Sequence, residues 1–179
     1  MGTTLTSSFF WTSALVAALV DVGLVGLLVR RVSDHEFRQL GTAVPFAGVL
    51  FWSALWTAVI LAYWGEFYSY AFPLWVRQFP PILGFIYGAT GFVLWWLAKR
   101  IPGKSVANYC LLGGVEGLVT HIWAIYRMDV LADPPMLRGV SAPSVLTFAF
   151  FEKVFYWSAV LGIGMVLWRL RSKLLQPRR

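Results

Sequence analysis

Residues Ser144 to Trp168 read SVLTFAFFEKVFYWSAVLGIGMVLW, an apolar run broken only by the adjacent pair Glu152 and Lys153. A helix needs about 20 apolar residues, at about 1.5 Å each, to cross a bilayer, and this stretch meets that length. Four other windows do the same: about Phe9–Val29, Val44–Trp64, Pro80–Ala98 and Val106–Tyr126. With 59% hydrophobic and only 13% charged residues, too little polar surface remains for a water-soluble globule. The expectation is therefore an all-α integral membrane protein, a single five-transmembrane-helix bundle over 179 residues, placed in a bacterial or archaeal plasma membrane.

The basic residues orient this bundle. Arg30, Arg31 and Arg38 follow the first window, Lys99, Arg100 and Lys104 the third, and Arg169, Arg171, Lys173, Arg178 and Arg179 the fifth. Only Arg77, Arg127 and Arg138 fall on the opposite side, so retention of positive charge in the cytoplasm predicts N-terminus out and C-terminus in. The basic tail 169–179 is expected along the cytoplasmic surface, with its leucines in the interface. MGTTLTSSFFW carries no charge ahead of the first window, so that segment is expected to stay as a helix instead of acting as a cleaved leader.

Several chemistries lose support at this stage. The net charge of +7 sits at window ends and offers no basic face to a duplex, which argues against nucleic acid. Cys110 is the lone cysteine and no CxxC is present, so neither an intrachain disulfide nor a thiolate metal site is indicated. The two histidines are His35, in a cytoplasmic loop, and His121, which leaves a transmembrane haem without paired ligands and a di-iron site without its Glu-x-x-His units. GxSxG, HExxH and P-loop signatures are absent. The sequence points to no metal and leaves any cofactor undefined.

Five ionisable side chains nevertheless stand inside the windows: Asp21, Glu116, His121, Glu152 and Lys153. Each costs roughly 2.5 to 3.5 kcal/mol at membrane depth on insertion scales, so such groups face a bundle interior and mark functional sites by default. Counting along the helices puts Asp21 and Glu116 near mid-membrane and His121 and Glu152 in the outer half, with Glu66 at the outer boundary. Glu116 and Thr120 share a face, while His121 points about 140° away from Glu116. Phe148, Glu152 and Tyr156 form one line on the last helix, and Tyr156 also borders Lys153.

The candidate acid–base residues are Glu116, His121 and Glu152; Asp21, Lys153, Tyr156, Thr120 and Glu66 are expected to bind ligand or pair charges. Glycines at Gly84/Gly88 and Gly113/Gly117 mark close helix approaches, and Gly113, Gly114 and Gly117 make the fourth window the expected centre. Tryptophans are expected mainly in interfacial belts, Trp95, Trp96 and Trp168 on the inner side. Two Pro-containing segments, Gly65–Pro81 and Met128–Pro143, are expected to cap the outer face. The functional expectation is an outward-facing acid–base pocket that binds a small or lipidic ligand or moves a proton, as a membrane enzyme or a transporter. The alternative is an accessory subunit of a larger membrane complex. Membrane lipids, a small apolar ligand, a second copy or other membrane subunits are the partners this implies.

Overall fold

The computed structural model describes residues 7–59, 81–126 and 141–175. Among these every regular element is a helix: α1 Ser7–Arg31, α2 Asp34–Gln39, α3 Ala43–Val59, α4 Pro81–Ala98, α5 Ser105–Tyr126 and α6 Ala142–Leu175. The described part of each apolar window falls on one long helix. Nearly all of both segments expected as outer caps, including Glu66, Arg77, Asp129, Asp133 and Arg138, lies outside the described residues.

The five-span expectation needs correction in one respect. By length and composition, α6 is the one helix among the described residues long and apolar enough to cross a membrane; Ala43–Leu55 and Gly84–Ala98 are shorter apolar stretches. On α5, Asn108, Glu116, His121 and three glycines dilute an otherwise long apolar helix.

A second correction concerns the centre of the bundle. It is α6, not α5, that packs against α1, α3 and α5 together. The glycines of α5 are the reason: they do not open space around Glu116 but form notches that receive large side chains from α6. A Cβ at Gly113 would collide with Trp157, one at Gly114 with Phe150, and one at Gly117 would lie 2.7 Å from the Ala149 carbonyl oxygen, with Lys153 also in the way. The α3–α4 pair uses the same device, since a Cβ at Gly88 would stand 2.9 Å from the Pro45 carbonyl oxygen. Small residues let backbones approach this closely, and the large residue opposite fills the notch.

The short helix α2 closes one end. Its signature, Ser33-x-x-Glu36, is a capping box: the Glu36 backbone N–H donates to Ser33 Oγ at 3.2 Å, and the Ser33 N–H donates to Glu36 Oε2 at 3.0 Å. Three donors tie this cap to the bundle. Trp95 Nε1 donates to the Phe37 carbonyl at 2.8 Å, the Ser105 N–H donates to Asp34 Oδ1 at 3.2 Å, and Arg169 Nη2 donates to the Arg31 carbonyl at 3.0 Å and to Glu36 Oε1 at 3.3 Å. Trp95 is thus a buried anchor for α2 instead of an interfacial belt residue. Arg169 and the residues to Leu175 continue α6 unbroken, so most of the basic tail is an extension of the central helix.

Glu36 gives the cap a pH dependence. The Ser33 backbone N–H, and after it the Ser33 hydroxyl and Arg169, hold its carboxyl below the ordinary 4.5. A folded pKa below the unfolded one contributes stability above about pH 4.5, and that contribution disappears as pH falls through the folded value. Glu36→Gln should therefore lower stability at neutral pH and change it little near pH 3, which flattens the acid limb of a stability-against-pH curve. Thermal melts from pH 7 to pH 3 measure this.

Candidate functional site

The site is built on α6, where Glu152, Lys153, Tyr156 and Trp157 occupy two successive turns. At about 100° per residue they cannot share one face, and the neighbouring helices sort them. Lys153 points inward and is only 2% exposed. Its ammonium donates to the Tyr87 hydroxyl of α4 at 2.7 Å and lies 4.4, 5.2 and 5.5 Å from the ring centroids of Tyr87, Tyr156 and Trp52. Those distances fall within cation–π range, so three aromatic faces replace part of the ammonium's hydration. The rings hold one another: Trp52 stacks on Tyr87 at 4.3 Å, and Tyr156 meets both edge-on, at 5.7 and 5.4 Å.

Two carboxylates face this cation without touching it. Glu152 and Glu116 are both within coulombic reach of Lys153, yet among the described residues neither closes to ion-pair distance. Glu116 instead accepts a 3.0 Å bond from Trp157 Nε1, whose ring is lodged in the Gly113 notch. That one tryptophan therefore joins α5 to α6 and fixes the Glu116 carboxylate. Glu152 stands at the more open edge, with its Oε2 4.0 Å from His121 Nε2; the two side chains are 36% and 21% exposed.

The histidine tautomer follows from its other nitrogen. His121 Nδ1 lies 2.9 Å from the Gly117 carbonyl, which can only accept, so Nδ1 carries a proton and donates it. Nε2 then offers a lone pair toward a carboxylate when the ring is neutral, and a proton when it is charged. The His121–Glu152 pair is thus a place where one proton can be held between two bases.

Of the residues singled out from sequence, Glu116, His121, Glu152, Lys153 and Tyr156 come together. Thr120 does not contribute: its hydroxyl donates to the Glu116 and Gly117 carbonyls, at 2.9 and 3.2 Å, within its own helix. Thr90 and Asn108, the polar residues of the inner half, are likewise engaged by backbone, Thr90 with the Ile86 carbonyl and Asn108 with those of Ile101 and Pro102.

Asp21 is the clearest departure from expectation. It does not pair with Lys153, because α1 brings it to a different part of the interior, within coulombic reach of Cys110, whose Sγ accepts from Ser158 Oγ at 3.2 Å. Only 3% exposed, Asp21 has no hydrogen-bond partner at either carboxyl oxygen. An unsatisfied buried polar group costs about 1 to 3 kcal/mol, and an apolar residue of similar size removes that cost. Asp21→Leu should accordingly raise the unfolding free energy by about that amount. A loss of stability in the same unfolding experiment would reveal a partner for the acid.

Tyr87, Trp52 and Trp157 were not picked out from sequence. Trp52 and Trp157 stand near the middle of their windows, far from either interface, and that depth is the signal that separates them from belt residues. Comparison of the chain with protein-family models, with curated proteins and with solved structures finds no match.

Proposed function

We propose that the chain is a five-helix membrane bundle, with its basic end in the cytoplasm, whose Glu116–His121–Glu152–Lys153 cluster takes up and releases a proton from the outer side. The membrane part of this reading rests on the surface. Leu19 and Val22 on α1, Phe46 and Leu50 on α3, Phe85 and Val93 on α4, Val115 and Val119 on α5, and Phe148 and Phe155 on α6 are all exposed. Apolar side chains outward on every long helix suit lipid, while contiguous patches beyond a few hundred Å² are rare on soluble monomers. The 17 and 18 residues of α3 and α4 reach about 26 to 27 Å, close to the roughly 30 Å hydrocarbon thickness.

The proton part rests on one observation, the His121 Nε2–Glu152 Oε2 approach beside a buried lysine. Lys153, Glu116 and Glu152, all ionised, sum to one negative charge. In a low-dielectric interior such a sum is unfavourable, and one proton on the His121–Glu152 pair neutralises it. His121 stands about 24 Å along α5 from Ser105, away from the basic end, so the pair would exchange with the outer side. Trp52, Tyr87, Tyr156 and Trp157 fill the space around Lys153, which favours proton handling over a ligand seated on the amine.

Vesicles carrying the protein and an outer pH dye provide the test. An acid pulse should reveal uptake of about one proton per chain, the number that the charge sum requires. Glu152→Gln, which brings that sum to zero, should abolish it, while Thr120→Val should not. Equal uptake by all three proteins would refute the assignment.

A further inference from the structure

A second site lies at the opposite end of the bundle. Where α1 ends, α2 begins and α5 starts, a half-open cavity of about 260 Å³ is lined by Val29, Arg30, Arg31, Val32, Ser33, Asp34, Glu36, Lys104 and Val106. Its two carboxylates are already engaged, Asp34 by the Ser105 N–H and Glu36 by Ser33 and Arg169. Its three cations are not: Arg30, Arg31 and Lys104 have no carboxylate partner among the described residues. With Arg169 alongside, four cations face two anions, a surplus of two positive charges around one opening.

We propose that this cavity binds the phosphate-bearing headgroup of an anionic phospholipid. This rests on the membrane reading above, which puts the cavity at the cytoplasmic headgroup level. Basic pockets between helices on that side suit such headgroups, each Lys or Arg adding attraction to the anionic leaflet. The guanidinium groups of Arg30 and Arg31 match phosphate oxygens in pairs, and Lys104 supplies a compact charge from the far wall.

The remaining lining selects the lipid over a free anion. Val29, Val32 and Val106 give the cavity an apolar side, and Leu27, exposed one turn before Arg31 and on the same face of α1 as that arginine, adds an apolar surface toward the hydrocarbon. A headgroup seated there leaves its acyl chains against α1. At about 260 Å³ the cavity is smaller than the 300 to 1,000 Å³ typical of pockets that enclose whole small molecules, and it suits a headgroup whose remainder stays outside.

Native mass spectrometry of the full chain, released from mixed phosphatidylglycerol and phosphatidylcholine, tests this directly. Phosphatidylglycerol should be retained preferentially, and Arg30→Gln, Arg31→Gln and Lys104→Gln should each weaken retention about fivefold. Arg171→Gln, on the exposed end of α6 and outside the cavity, should leave retention unchanged. Equal retention of both lipids, or an equal loss in Arg171→Gln, would overturn the proposal. So would retention of inorganic phosphate as strong as that of the lipid, which would make the cavity a small-anion site. Failure of the protein to insert into vesicles would instead refute the membrane reading itself.

Discussion

Trp157→Ala should cost the bundle about 3 to 5 kcal/mol, the largest loss expected for any single side chain. The indole is fully buried, fills the notch at Gly113, packs against Gly91 of α4 and meets Tyr109 and Tyr156 edge-on. Its removal leaves a cavity whose walls at Gly91 and Gly113 have no side chains to collapse into it. The Glu116 carboxylate would also lose its 3.0 Å donor, and a hydrogen bond to a charged acceptor contributes about 1.5 to 3 kcal/mol on its own. Trp157→Phe separates the two effects, since it retains most of the packing and deletes the N–H. Reversible denaturation in mild detergent should rank wild type above Trp157→Phe above Trp157→Ala. A phenylalanine variant as stable as wild type would show that the Glu116 bond contributes nothing.

Lys153→Met should change the number of protons the site binds, and it does so through charge alone. Methionine has a similar length and flexibility and packs well against aromatic rings, so the box of Trp52, Tyr87 and Tyr156 retains an occupant. Without the ammonium, Glu116 and Glu152 contribute two negative charges, and neutrality requires two protons where one sufficed. The variant should therefore take up about one additional proton per chain in the acid-pulse experiment. Adding Glu116→Gln to Lys153→Met removes one of the two negative charges and should restore a single proton. If Lys153→Met leaves the stoichiometry unchanged, the lysine is a packing element and not part of the charge balance.

Much of the architecture was legible because it depends on patterns local to the chain. The apolar windows foretold all five long helices, and the small-residue pairs at Gly84/Gly88 and Gly113/Gly117 marked true close approaches. The SxxE signature at Ser33–Glu36 could have revealed α2, but it lay in a stretch read only for its charge. The centre of the bundle was misplaced because glycine in a sequence indicates proximity without saying which residue fills the space. Trp157, Phe150 and Lys153 fill it here, and that makes α6 the hub.

The candidate site divides in the same way. Depth and charge were enough to nominate Glu116, His121, Glu152 and Lys153, because ionisable groups are conspicuous in an apolar background. Tyr87 was invisible for the opposite reason, since aromatic residues are abundant in this chain and only tertiary packing brings one hydroxyl to 2.7 Å from the lysine. Asp21 looked equivalent to the others by composition and depth, yet it is separated from them by the position of α1. Helical phase within one chain segment cannot specify which neighbouring helix a residue meets.

The most direct test of the proton-holding pair is nitrogen NMR of selectively labelled His121 in bilayers. The geometry predicts a neutral ring protonated on Nδ1, fixed by the Gly117 carbonyl, with an Nε2 resonance that is altered in Glu152→Gln while that of Nδ1 is not. A neutral ring with the proton on Nε2, or an Nε2 resonance indifferent to Glu152→Gln, would contradict the account.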